Sequence, residues 1–358
     1  MTTNHKYYLD LAFKLAETNL GKTKLNPSVG TIVVKNNTVI SSGVTSVNGR
    51  PHAEYNALNK VSNLNGSTLY TTLEPCTHFG LTPPCTSIII KKKIKKVIYG
   101  SDDPDVRTFK KAKNTLKKNK IKTKLIRSSN YKNFYRSYLF NKKFKLPFIS
   151  SKIAISKDYY TISKKSKRIT NKHSEIITHL LRSKNDCIFS TSKSINKDNS
   201  LLNCRIPGLN QFKPDLFIID LNLKLKKNLQ LYGTINKRKS FIITAKNNKE
   251  KINFFKKQGF KIIFLKSLNS KNDFKNMFKI VYQMGYSRIF FETGLTFLNS
   301  LLSYKLLNNL YIFQSNVILN KNGLNNTTSK YLKKIKLNKK IKINLNNDSL
   351  YKKEFNYV

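Results

Sequence analysis

The sequence predicts an α/β protein of two domains, and three observations carry that reading. It is 358 residues long, whereas one core seldom grows past about 250–300 residues. Short β-branched and aromatic runs alternate with amphipathic stretches, the pattern of sheets covered by helices. That pattern shifts at "NKKFKLPFISSKIAIS", where a helical stretch stops before Pro147 and a strand-like run begins. The boundary is therefore set near residue 145, giving domains 1–145 and 146–358.

Taken in order, "MTTNHKYYLDLAFKLAETN" reads as an amphipathic helix with Leu9, Ala12, Phe13 and Ala16 on one face. It lacks the basic start, apolar middle and small-residue cleavage site of a signal peptide. No window reaches the ~18 uncharged apolar residues of a membrane span, so a cytoplasmic chain with no membrane partner is expected. "VGTIVV" and "NTVISSG", split by a polar turn, suggest a hairpin. Pro51 suits the first position of a helix striped by Ala53, Ala57, Leu58 and Val61. A strand over 67–73 stops at Pro75, Pro83 and Pro84 open a second helix, and "KKVIYG" (95–100) forms a strand. A basic helix follows over 107–119 and another helix over 130–142. The second domain has strands at 148–155, 186–190, 215–220, 240–245, 261–265 and 288–292, with helices at 172–183, 271–284 and 296–304.

The formal net charge is +50. A basic surface attracts phosphates, so nucleic-acid binding is one reading. A dedicated interface concentrates charge and uses the bidentate geometry of Arg. Here 59 of the 68 basic residues are Lys, spread along the whole chain, while Gly and Pro are scarce and Trp is absent. Compositional bias accounts for this better, and weak, salt-sensitive adhesion to polyanions is its expected consequence. No specific nucleic-acid partner is expected.

Against that background the rarer residue types stand out. His52 and Glu54 lie two apart at a helix start, Cys76 follows Glu74-Pro75 at a strand end, and Cys85 opens the next helix. A Cys at a helix N-terminus has its thiolate stabilised there. Three N/S ligands with an open fourth position describe a catalytic zinc site. Glu54 is then placed to handle the protons of a water in that position, as in zinc deaminases with an H-x-E and P-C-x-x-C signature. Taken singly, His52 reads as a helix-start residue and the Cys as small buried hydrophobes. A structural zinc would need a fourth protein ligand, for which His78 is the candidate. Here the two Cys are separated by eight residues, "THFGLTPP".

That long segment, with "NPSVG", "PHAE" and "TLEPC", resembles the deaminase half of the bifunctional riboflavin-biosynthesis deaminase/reductases. The family has Arg where this sequence has Leu81. The second half resembles the family's reductase through "KIAISKD", "RIT", "HLLRSKNDCIFSTSKSINKDNSLLNCR" and "FFETGLTFLNSLL". The resemblance implies a cytidine-deaminase-like three-layer domain followed by a dihydrofolate-reductase-like α/β domain. It implies Zn²⁺ held by His52, Cys76 and Cys85, Glu54 as proton carrier, and NADPH in the second domain. The implied small-molecule substrate is a diaminopyrimidinone bearing a ribosylamino 5′-phosphate, deaminated and then reduced at the ribosyl group. Carried over position by position, Ser166, Arg182, Leu202, Arg205 and Glu292 match substrate contacts, with Arg182 and Arg205 suited to the phosphate. Ala154, Arg168, Ser194, Asp198, Gly294, Leu295 and Thr296 match the cofactor site, and Lys152 and Asp198 match polar residues beside the hydride transfer. A homo-oligomer formed through the reductase domain is expected.

Four departures fall near the cofactor positions: Tyr159 for a turn Gly, Arg168 for Trp, Leu221 for Ser and Leu295 for Pro. A deaminase with a degenerate reductase is therefore an alternative. A nucleic-acid-editing deaminase would need neither the long Cys spacing nor a second domain, and a non-enzymatic basic zinc protein would need a fourth ligand.

Overall fold

The computed structural model describes residues 4–209, 214–327, Leu332, Ile335, Leu337 and residues 339–356. The chain divides into two compact units, Met1–Leu146 and Pro147–Val358.

The first unit runs α1 (His5–Glu17), β1 (Gly30–Lys35), β2 (Thr38–Val44), α2 (Ala53–Leu58), β3 (Thr68–Thr71), α3 (Cys85–Lys91), β4 (Lys96–Tyr99), α4 (Ala112–Lys118), β5 (Lys122–Leu125), α5 (Ser129–Phe134) and α6 (Arg136–Phe144). Its sheet has the order β2-β1-β3-β4-β5, antiparallel at β2-β1-β3 and parallel at β3-β4-β5. Successive strand residues point to opposite faces. Ile32, Tyr70 and Ile98 therefore pack with Leu9 and Phe13 of α1 and Tyr131 and Tyr135, near α5 and α6. Val33, Leu69 and Val97 pack instead with Leu58 of α2, Ile89 of α3 and Leu116 of α4. The result is a three-layer sandwich.

Glycine lets the helices sit close. A β-carbon on Gly43 of β2 would lie 2.4 Å from Ala53 O of α2, and one on Gly30 of β1 would lie 2.0 Å from Ala12 O of α1. The Gly43 contact fixes the start of α2. That helix begins at Ala53 with His52 as its N-cap, so Pro51 lies outside it and Val61 beyond its end. The 107–119 stretch is helical only from Ala112, and the 130–142 helix divides at Tyr135. The Lys-rich edge strand β5 was not expected from the sequence.

The second unit runs β6 (Phe148–Ile155), β7 (Tyr160–Ser163), α7 (Lys172–Ser183), β8 (Cys187–Thr191), α8 (Ser192–Asp198), β9 (Asp215–Ile219), β10 (Ser240–Thr244), α9 (Lys249–Lys257), β11 (Lys261–Phe264), α10 (Lys271–Gln283), β12 (Arg288–Phe291), α11 (Leu295–Ser303), β13 (Asn309–Gln314), β14 (Gly323–Asn326) and β15 (Ser349–Glu354). An eight-stranded sheet has the order β11-β10-β9-β8-β12-β6-β13-β15, parallel except at β15. Phe189, Phe217 and Phe241 stack across β8, β9 and β10 with ring centroids 4.7 and 4.3 Å apart. From β6 the chain builds outward in two directions, so the strand order reverses around β8-β12-β6. Ligands of open α/β sheets bind outside the carboxyl ends of strands at such a point. Tyr159, in the turn before β7, has φ 68°, the left-handed conformation of a turn Gly.

Candidate active sites

In the first unit the strand ends and helix starts bring three ligand side chains together. The ligand atoms of His52, Cys76 and Cys85 all lie within 4.8 Å of one another. His52 Nδ1 faces both sulfurs, at 3.3 Å from Cys85 Sγ and 3.7 Å from Cys76 Sγ. The Cys85 backbone N–H donates to Cys76 Sγ at 3.2 Å. The thiols share their protons unequally. Hydrogen bonding from Cys85, with His52 adding to it, brings Cys76 down to about 4, while that same hydrogen bond and burial push Cys85 up. One thiolate beside a second thiol and an imidazole nitrogen is the donor chemistry zinc takes, so the residues present fit that ion.

Glu54 is buried, 4% exposed, and its Oε2 accepts from Cys85 Sγ at 3.4 Å. Burial, and then the Cys76 charge, push its carboxyl up to about 7. A carboxyl poised there can both take and give a proton near neutrality. His78 is not part of the cluster: its Nδ1 lies 3.0 Å from Thr108 Oγ1. The grouping holds three ligands, which favours an open fourth position over a closed structural site.

Glu74 escaped the sequence reading. Its carboxylate accepts from the backbone N–H groups of Asp103, Lys110 and Ala112 at 3.3, 3.0 and 3.0 Å. It thereby ties the loop before α4 to the segment after β3 that carries Cys76. A Glu directly before Pro-Cys was the available signal.

In the second unit, α7 and the end of β12 meet through Arg182 and Glu292. Arg182 donates from Nε to Glu292 Oε1 at 2.5 Å and from Nη2 to Oε2 at 2.9 Å. Its Nη1 donates to Asn203 O at 2.8 Å, and Lys152 Nζ lies 3.6 Å from Glu292 Oε2. Burial alone would raise Glu292, but Arg182 and Lys152 outweigh it and hold the carboxyl near about 2. The guanidinium expected to bind a phosphate is thus buried and committed to a carboxylate and a carbonyl. Arg205 is more exposed, donating to Asn203 Oδ1 at 2.9 Å and to Glu175 Oε1 at 3.3 Å. Glu175 also receives Arg168 Nη1 at 2.5 Å, and Ser166 Oγ donates to Arg168 O at 2.8 Å.

The Leu202 side chain is buried in the core with Ile188 and Ile195. Ala154 lies on β6 beside Phe313 of β13. Asp198 ends α8 with an exposed side chain. Ser194 Oγ accepts from Thr191 Oγ1 at 3.0 Å. Gly294 is the N-cap of α11, followed by Leu295 and Thr296 with no side-chain cap. A β-carbon on Gly294 would meet only Ser194 Oγ, at 3.9 Å. The neighbouring Thr293 Oγ1 is buried with no hydrogen-bond partner among the described residues. An open backbone cradle, free helix N–H groups and an orphaned hydroxyl fit a phosphate-bearing dinucleotide.

Comparison with known proteins follows this division. The cytidine and deoxycytidylate deaminase zinc-binding region matches residues 2–101, and the RibD C-terminal domain matches residues 147–343. The riboflavin biosynthesis protein RibD of Aquifex aeolicus is 34% identical over 282 residues, 76% of this chain and 77% of that protein. The chain belongs to the RibD family. RibD of Buchnera aphidicola is 30% identical over 340 residues, 87% of each chain. The solved RibD structure from Acinetobacter baumannii (form 2) covers 97% of this chain and 98% of its own, with TM-score 0.81 at 23% identity. The diaminohydroxyphosphoribosylaminopyrimidine deaminase/5-amino-6-(5-phosphoribosylamino)uracil reductase of Thermotoga maritima covers 97% of each chain, with TM-score 0.81 at 24% identity. Those two likenesses show the fold. As a RibD protein the chain is a bifunctional enzyme of riboflavin biosynthesis, a zinc deaminase joined to an NADPH-dependent reductase. No described helix is long and apolar enough to cross a membrane.

Proposed function

We propose that the first unit deaminates a diaminohydroxyphosphoribosylaminopyrimidine and that the second reduces the resulting 5-amino-6-(5-phosphoribosylamino)uracil, the compounds for which the Thermotoga relative is named. The observation that carries this reading is the buried Glu54 carboxyl directly beside the His52, Cys76 and Cys85 cluster. These three residues would hold zinc, which when bound supplies a Lewis acid that lowers the pKa of water towards ~7. Glu54 takes a proton from the attacking water as the C–O bond forms at the ring carbon. It delivers that proton to the exocyclic amine as the C–N bond breaks, so one water is consumed and one ammonia released.

In the second unit Gly294, Leu295, Thr296, Ser194 and Ala154 would hold NADPH, which supplies hydride. Lys152 and Asp198 would flank the reacting ribosyl carbon. Arg205 and Ser166 would receive the substrate phosphate, with Arg182 setting the position of Glu292. The Arg168–Glu175 pair would stand where an aromatic side chain otherwise lies against the cofactor. The open face of Gly294 supports a working reductase over a degenerate one. A cytoplasmic location fits the absence of a membrane-length helix among the described residues. Homo-oligomerisation through this unit is supported by β11, an edge strand whose Phe264 is 53% exposed. Light scattering tests that assembly.

The decisive assay follows ammonia release and NADPH oxidation separately, with purified protein and the diaminopyrimidine substrate. Both should appear, in that order. Ammonia without NADPH oxidation would leave a deaminase alone, and neither would overturn the reading.

A further inference from the structure

Arg50 leads the chain into His52, and its guanidinium lies along the loop between Cys76 and Cys85. Nη1 donates to Thr82 Oγ1 at 2.8 Å, and a β-carbon on Gly80 would be 3.8 Å from Nη2. Among the described residues Arg50 has no carboxylate partner and no other hydrogen bond, so Nε and Nη2 remain available. Arg50 is near enough to act electrostatically on His52. Arg107, whose carbonyl accepts from Thr77 Oγ1 of the same loop, is committed to Asp105 Oδ2, 2.6 Å away.

The loop itself contains no Lys or Arg. Residues 77–84 read Thr-His-Phe-Gly-Leu-Thr-Pro-Pro, and Leu81, 87% exposed, cannot engage an anion. A ribose phosphate entering above the cluster therefore meets a mouth with one uncommitted guanidinium. Two free N–H directions on a planar fork match two phosphate oxygens.

We propose that Arg50 binds the substrate phosphate at the deaminase site, in place of a cation within the 77–84 loop. The inference rests on the phosphorylated substrate proposed above. Deamination is measured with the phosphorylated pyrimidine and with its dephosphorylated counterpart, in wild type, Arg50→Gln and Arg50→Gln/Leu81→Arg. Arg50→Gln should raise KM for the phosphorylated compound about 10–100-fold, the size of a lost charge-assisted contact. It should leave KM for the dephosphorylated one in place, and Leu81→Arg should recover much of the loss. Ribose 5-phosphate should inhibit ammonia release by wild type and lose potency against Arg50→Gln. Zinc content and melting temperature equal to wild type show that the variant is intact; if they fall, Arg50→Lys, which keeps charge without the fork, gives the same comparison. Equal effects on both compounds, or none, overturn the inference. Wild type that deaminates neither compound overturns the functional reading and this inference with it.

Discussion

Arg182 and Glu292 form a two-pronged ion pair, Nε to Oε1 at 2.5 Å and Nη2 to Oε2 at 2.9 Å, between α7 and the end of β12. Both residues are buried, 8% exposed in each case. Removing one partner leaves the other charge without compensation, which costs about 3–5 kcal/mol. Glu292→Gln should therefore lower the stability of the second unit by that order and abolish reduction, while ammonia release persists. Denaturant unfolding with both activity assays checks this.

The same pair gives the second unit an acid limit. His179 Nδ1 accepts from Arg205 N at 3.2 Å and lies 3.3 Å from Arg182 Nη1. Burial, then Arg182 and Arg205, bring it down to about 4. Its folded pKa lies below the ordinary 6.5, so its contribution is complete above 6.5 and is lost as pH falls towards about 4. Glu292, depressed from 4.5 to about 2, loses its contribution over that lower range. Hydrogen exchange in α7 and β12 should accelerate as pH drops from 7 to 4, after correction for the intrinsic rate. His179→Gln should flatten the upper part of that dependence.

Glu54→Gln should keep zinc and lose about 10²–10⁴-fold in deamination, the range for a missing general acid–base group. Cys76→Ala should lose both metal and activity. Normal ammonia release from a zinc-loaded Glu54→Gln protein would remove Glu54 from the reaction.

Gly43→Ala should disturb the deaminase from beneath. Its new methyl would lie 2.4 Å from Ala53 O and 2.5 Å from Ala57 N, so α2 must shift, at about 1–3 kcal/mol for an overpacked contact. Because His52 caps that helix, zinc should be stripped by chelators more readily than from wild type. Retention equal to wild type would show that α2 moves without its N-cap.

Tyr159→Gly should act in the opposite sense. At φ 68° a residue with a β-carbon carries about 1 kcal/mol of strain that Gly does not. Tyr159 is 47% exposed, so little packing is lost. The second unit should gain stability of that order, read from its unfolding midpoint.

The zinc cluster was legible because His, Cys and Glu are scarce in this chain and their order fixes the chemistry. The buried strands β8, β9, β10 and β12 were legible because each carries at least three consecutive apolar residues. Strand β5, Lys-Thr-Lys-Leu, was not, because an edge strand held by backbone pairing needs no apolar signature. The commitment of Arg182 was likewise hidden. Phosphate recognition and a buried ion pair ask for the same residue type, and only the position of Glu292, 110 residues away, separates them. Glu74 shows a third limit, since its partners are backbone N–H groups that carry no residue identity.

Strand β15 pairs with β13 in register from Asn309↔Glu354 to Gln314↔Ser349, beyond residue 343, where the likeness to the RibD C-terminal domain ends. A chain shortened to that residue would keep every proposed ligand of both sites. It would also leave β13 as a bare sheet margin, with Leu310, Ile312 and Phe313 in a strand whose N–H and C=O groups invite another chain. Residues 349–354 thus cover a sheet margin, and their loss should show as aggregation.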